Sequence, residues 1–223
     1  MINAISLLKR KPGLSVEAFQ EHWRTGHAKL IALLPGVRRY VQSHPLPEMY
    51  EDGKPEYDGI AELWANDSQA FRDIGASDAY VAVQADEEKF LDRNAIALVL
   101  TDERVIKDGP VAADGVKRIQ LFKRKRDMPV EEFQSHWRGE YGSDVSSLPS
   151  LDRYVQYHAR LGAYARAREP AYDGFDITWF QSANALRLAM NSEVNDRVLS
   201  GQSNFLATDD CRQILTRELV IIG

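Results

Sequence analysis

The chain carries its own sequence twice, and that duplication constrains the fold more than any single residue. LLKRK at 7–11, FQEHWR at 19–24 and RYVQSH at 39–44 return as LFKRK at 121–125, FQSHWR at 133–138 and RYVQYH at 153–158. The offset is constant, since 133 − 19 and 158 − 44 both give 114, and residues 7–44 and 121–158 share 18 identities in 38 positions. The repeat continues with Tyr57-Asp58-Gly59 and Trp64 against Tyr172-Asp173-Gly174 and Trp179, and with Glu103 against Glu218, at an offset of 115, so one insertion follows His158. Solenoid repeats run about 20–50 residues, so a period this long marks a duplicated domain. The expected layout is a first domain at 1–107, a linker at 108–116 and a second domain at 117–223.

Bulk properties narrow the classes. A net charge of −5 lacks the basic excess a nucleic-acid partner normally calls for. Cys211 is the single cysteine, so no intrachain disulfide can form and a reducing compartment is the simpler expectation. Residues 1–11 lack the pattern of a secretory signal, and the longest apolar run, 95–100, is far too short to cross a membrane. A cytoplasmic protein with no membrane partner is expected.

Each copy reads as strand, helix, strand, strand, helix, strand. Residues 3–10 alternate as a strand, and Pro12-Gly13 breaks the chain. Val16, Phe19 and Trp23 then follow helical spacing behind a Ser15 N-cap, with Pro129 in the equivalent place before Val130, Phe133 and Trp137. Residues 45–56, with Pro45, Pro47, Gly53 and Pro55, predict a polar hairpin loop. A βαββαβ unit is the ferredoxin-like plait, with both helices on one face of an antiparallel sheet. The fold class expected is therefore α+β, with two tandem ferredoxin-like units packed sheet to sheet as an internal pseudo-dimer, and further homodimerisation left open.

The basic first strand, the Phe-x-x-His-Trp helix followed by His27, the Leu-Pro-Gly before RYVQ and a histidine, and Tyr57-Asp58-Gly59…Glu62-x-Trp64 together resemble the EthD-like family, of the dimeric α+β barrel superfamily. The resemblance covers both halves. It implies a dimeric α+β barrel and activities among cofactor-free oxygenases, cyclases and dehydratases of aromatic or polyketide-like molecules, with haem enzymes in the same superfamily.

Strand parity groups the candidate residues. Tyr40, Gln42 and His44 share one face of their strand; Asp58, Ile60, Glu62 and Trp64 share one face of the next. A hairpin pairing Tyr40 with Glu62 sets His44 opposite Asp58, a carboxylate that would fix the imidazole tautomer and raise its basicity. The second copy would pair His158 with Asp173, with Ile177 in place of Glu62. The structural alternative is a pair that holds the hairpin mouth together. His22 and His136 lie at the edge of the buried helix face, suited to a cap or interface bond as much as to function. His27 matches the family's second histidine, and its counterpart is Tyr141. Trp64, Trp179, Tyr40, Tyr154 and Trp23 supply aromatic walls, a role more often played in a core than in a ligand platform. Arg10 and Arg124 end their strands and could hold a carboxylate or phenolate, or lie solvated.

The leading expectation is an enzyme with no cofactor acting on an aromatic or hydrophobic small molecule. His27 and His44 would move protons, Asp58 orient His44, Tyr40 donate to a substrate oxygen, and Arg10, His22, Glu62, Trp64 and Trp23 contact substrate. His136, Tyr141, Tyr154, His158, Asp173 and Trp179 are the second-half equivalents. A metal on His22, His27 or His44 with Asp58 or Glu62, or haem through one histidine, is a lesser expectation. The alternatives to an enzyme are a binding or accessory protein for a hydrophobic ligand, and an interaction module with a filled pocket. Because His27 and Glu62 become Tyr141 and Ile177, the first half is the better candidate for chemistry.

Overall fold

The structure, a computed structural model, describes residues 1–51, 53–165 and 169–223. It is a mixed α+β chain made of two compact units, one of Met1–Leu100 with Glu218–Gly223 and one of Thr101–Arg217.

In the first unit β1 (Ile2–Leu8) and β2 (Val37–Pro45) pair antiparallel with β3 (Gly59–Ala65) between them. Between β1 and β2 run α1 (Val16–His22), a π-helical turn (Trp23–His27) and α2 (Ala28–Ala32). Ser15 caps α1 by accepting from the Ala18 amide, as its position predicted. The expected loop at 45–56 holds a helical turn, α3 (Glu48–Glu51), because the Met49 and Tyr50 amides find the carbonyls of Leu46 and Pro47. After β3 come α4 (Ser68–Gly75), capped by Asp67, and α5 (Asp78–Phe90), capped by Ser77. β4 (Ala97–Lys107) follows, and its residues from Thr101 onward belong to the second unit.

The second unit repeats the plan with β5 (Val116–Phe122), α6 (Val130–His136), a π-helical turn (Trp137–Tyr141), α7 (Gly142–Ser146), β6 (Leu151–Ala159), β7 (Gly174–Phe180), α8 (Ala183–Met190), α9 (Glu193–Phe205) and β8 (Arg212–Ile222), whose residues from Glu218 onward belong to the first unit. Its strands lie in the order β4-β6-β7-β5-β8, all antiparallel.

One register shift decides which side chains face the helices. Val37 pairs with Ala65, but a bulge follows, and Arg39 pairs with Trp64, Tyr40 with Leu63 and Gln42 with Ala61. The pairing expected from the sequence, Tyr40 with Glu62, is the register before the bulge, and a slip of one residue moves a side chain to the opposite face. The same shift separates Leu151 from Arg153, so Gln156 faces Asp176 and Tyr154 faces Thr178.

The indole of Trp23 packs on Gly59 and that of Trp137 on Gly174. A Cβ at Gly59 would stand 2.5 Å from the Trp23 ring, and one at Gly174 would stand 2.4 Å from Trp137 and 2.5 Å from the Tyr157 carbonyl oxygen. Backbone cannot yield as a side-chain tip can. Gly174→Ala is therefore expected to cost about 3 kcal/mol, the upper range for overpacking, read as a lowered urea midpoint. An unchanged midpoint would contradict this placement of the indole.

Candidate active site

In the first unit, the face carrying Tyr40, Gln42 and His44 meets the helices. The Trp23 indole Nε1 donates to the Tyr40 hydroxyl at 3.0 Å, and Gln42 Nε2 donates both to that hydroxyl at 3.0 Å and to the Trp23 carbonyl at 2.9 Å. The phenol oxygen thus accepts twice, and its own proton is left for another acceptor. Burial raises its pKa, with the Glu87 carboxylate adding to the rise, so the group stays protonated.

The same unit holds a group the sequence did not suggest, two histidines on one carboxylate. His27 Nδ1 and His22 Nε2 both lie 3.0 Å from Asp86 Oδ2 on α5, and Lys89 donates to Asp86 Oδ1 at 3.1 Å. Both imidazoles also pack on the Phe90 ring, at 4.8 and 4.9 Å. Burial pushes the Asp86 carboxyl up, but the bonds from His22, His27 and Lys89 outweigh it and hold the pKa below the usual value. For His27, desolvation wins over the pull of Asp86 and lowers the pKa, so its ring is neutral at pH 7. A neutral ring whose Nδ1–H donates to Asp86 leaves the Nε2 lone pair free to accept a proton.

Leu8, Phe19, Trp23, Phe90 and Leu91 form one cluster, and Ala28, Ile31, Leu34, Tyr40, Ala65, Ile74 and Val83 another. Ala61 touches both clusters yet is only partly buried, as are Ser6 and Leu63 on the same face. Ala61, Leu63 and Tyr80 are among the partly buried residues that pack against the cluster containing Tyr40. Glu87, whose carboxyl is raised chiefly by burial, interacts electrostatically with both tyrosines.

Several expected roles need correction. Asp58 does not orient His44. It accepts from the Arg10 amide and Nε, both at 3.0 Å, and from the Tyr50 hydroxyl at 3.3 Å, and Lys9 lies 3.7 Å away. Arg10 also donates to the Leu14 carbonyl, so it ties the end of β1 to the start of β3 and is not a free cation for substrate. His44 instead bonds Gln42 Oε1 at 3.0 Å and stacks on Trp23 at 4.5 Å; burial, helped by Arg24, pushes its pKa down to about 4. Glu62 and Trp64 lie on the opposite sheet face from Tyr40, where Ser43 donates to Glu62 at 3.0 Å and the Arg39 guanidinium sits 4.7 Å over the Trp64 ring. Trp23 bonds the Tyr40 hydroxyl, and His22 bonds the same Asp86 oxygen as His27.

In the second unit the clamp recurs. Asp173 takes the Arg124 amide at 3.0 Å and the Tyr164 hydroxyl at 2.8 Å. His158 bonds Gln156 at 3.0 Å and stacks on Trp137 at 4.2 Å. The Tyr141 hydroxyl accepts from Gln202. His136 packs on Phe205 at 4.8 Å, and Gly201 stands where the first unit has Asp86. Trp179 lies on the other sheet face under Lys117, at 5.0 Å. The main difference is Asp176, the counterpart of Ala61. Its Oδ1 accepts from Trp137 at 2.8 Å and from the Tyr154 hydroxyl at 2.5 Å, so there the tyrosine proton is already bound.

Sequence reading missed Asp86, Glu87 and Asp176. The signals existed as substitutions between the copies, Asp86 against Gly201, Glu87 against Gln202 and Ala61 against Asp176. Among the described residues, no three or more His, Cys, Asp or Glu side chains are grouped to hold a metal ion, and no helix is long and apolar enough to cross a membrane.

The EthD domain model matches residues 11–94 and again 125–209. The chain belongs to the EthD family. Within that family this protein carries the domain in tandem. An anthrone oxidase-like protein shares 8% identity with it at a TM-score of 0.70, covering 100% of this chain and 94% of that one. Proposed monooxygenases from Fusobacterium nucleatum (9% identity, 99% and 92% covered, TM-score 0.61) and Lactobacillus acidophilus (12%, 99% and 93%, TM-score 0.57) share the fold as well. No curated protein matches the sequence.

Proposed function

We propose that the first EthD unit is an acid–base enzyme for an aromatic or otherwise hydrophobic small molecule, bound over Ala61 without a resident cofactor. The observation that carries this reading is the Tyr40 hydroxyl, which accepts two hydrogen bonds and keeps its own proton in a cluster whose neighbour Ala61 is only partly buried. His27 Nε2 takes a proton from an activated phenol or the carbon next to a carbonyl, Asp86 holds the ring in the required tautomer and steadies the imidazolium, and Tyr40 donates to the developing oxyanion. Apolar walls strengthen each of these few polar contacts. The electron-rich anion so formed is the species that reacts with dioxygen in an oxygenase, or expels a leaving group in a dehydratase or lyase. The names of the whole-chain structural neighbours favour the oxygenase.

The test is dioxygen uptake with an anthrone as probe. Tyr40→Phe is expected to lower kcat about 10²-fold, as loss of one oxyanion donor does, with little change in KM. Full activity in that variant would refute the role of Tyr40. Wild-type protein that releases a bound hydrophobic molecule on denaturation, yet turns over no phenol, would replace the enzyme with a binding protein.

A further inference from the structure

The second unit differs from the first at four positions that lie together. Arg118 and Gln120 on β5 pair with Thr178 and Asp176 on β7, on the face that meets the helices. The first unit has Ala4, Ser6, Leu63 and Ala61 there. The four second-unit side chains are buried, with exposures of 3%, 8%, 1% and 1% in the order Arg118, Gln120, Thr178, Asp176. Each keeps a buried polar atom that meets no partner among the described residues: Arg118 Nη1, Gln120 Oε1, Thr178 Oγ1 and Asp176 Oδ2. Interiors almost always pair such atoms, so four on one small patch call for an occupant. Directly opposed residues stand about 5 Å apart, so one small molecule can touch both pairs.

The remaining bonding capacity describes that molecule. Arg118 Nε already donates to Gln213 at 2.6 Å, and Asp176 Oδ1 is filled by Trp137 and Tyr154. What is left is an N–H donor, two acceptor oxygens and a hydroxyl. The guanidinium and carboxylate charges balance, which favours a neutral ligand. Phe122, next on the same face of β5, stacks within 5.2 Å of Trp137 and 5.8 Å of Tyr141, so an aromatic wall adjoins the polar patch.

We propose that this patch binds a neutral catechol. One hydroxyl donates to Asp176 Oδ2 and the other to Gln120 Oε1, an oxygen of the pair accepts from Arg118, Thr178 completes the set, and the ring lies against Phe122. The proposal is independent of the first-unit reading, since it shares none of its residues.

Isothermal titration with catechol tests it. A saturable site is expected, weakened about tenfold or more by Asp176→Asn, because a bond to a charged acceptor is lost, and about fivefold by Thr178→Val. The monomethyl ether of catechol is expected to bind at least about tenfold more weakly, having lost one donor. Tyr40→Phe leaves this site intact. Thr178→Val removes a hydroxyl that bonds none of the described residues, so its melting temperature is expected to equal or exceed that of the wild type. No saturable binding, which would leave the patch to water, overturns the proposal. So does equal affinity in both second-unit variants, or loss of the site in Tyr40→Phe.

Discussion

Replacing His27 with alanine is expected to lower kcat/KM for the proposed reaction about 10²–10⁴-fold, the span that a positioned general base contributes. The variant keeps the Trp23–Tyr40–Gln42 bonds, so substrate should still bind and the loss should fall mainly on kcat. The pH profile adds a signature. The neutral imidazole is the working form, and burial holds the His27 pKa below 6.5, so activity is expected on a plateau at neutral pH with its acid limb below 6.5. Asp86 pulls that pKa up. Asp86→Asn is therefore expected to move the acid limb further to low pH while lowering the plateau, which loss of packing alone would not do. An acid limb that stays in place in Asp86→Asn would remove Asp86 from the account.

The second large effect is an opposition between two buried groups of the second unit. His158 donates from Nε2 to Gln156 and keeps Nδ1 buried without a partner among the described residues; burial, with the Arg138 and Arg104 charges, pushes its pKa down to about 3. Between 6.5 and 3 the unfolded chain therefore binds a proton the folded chain refuses. The His158 contribution is complete above pH 6.5 and is lost as pH falls through that window, at about 1.4 kcal/mol per unit. Asp176 runs the other way. Burial raises it to about 6 against the bonds from Tyr154 and Trp137, so the folded chain holds a proton there more firmly, and that stability, present below 3.8, is lost as pH rises through 6. The two nearly cancel in the wild type. His158→Gln is expected to gain about 2 kcal/mol on the wild type between pH 6.5 and pH 5. Asp176→Asn is expected to lose ground over the lower part of the same range. Urea unfolding at several pH values measures both, and parallel curves for all three proteins would contradict the burial of these groups.

The fold was legible in the sequence because duplication doubles every periodic signal: the Val-Phe-Trp stripe, the breaks at Leu34-Pro35-Gly36 and the Tyr-Asp-Gly strand start each occur twice. The candidate site was legible in part. His27 and Tyr40 stand out by their motif and by their loss or retention in the second copy. Partnership was harder to read, because a single bulge between Val37 and Arg39 shifts the hairpin by one residue and carries Glu62 and Trp64 to the other face. Asp58 looked like a histidine's carboxylate, whereas the nearest cations, Arg10 and Lys9, come from β1's end, a neighbour that hairpin reasoning does not include. Asp86 comes from α5, far along the chain, and only the packing of that helix against the π-helical turn brings it to His22 and His27.

The central claim is that chemistry occurs in the first unit, on the sheet face that meets its own helices. A crystal structure with anthraquinone bound, the quinone that forms with one water when the anthrone probe consumes one dioxygen, tests it most directly. The account predicts the ring over Ala61, with a quinone oxygen accepting from the Tyr40 hydroxyl and the His27 Nε2 directed at the ring. A quinone found instead on the opposite sheet face, against Glu62 and Trp64, would contradict it.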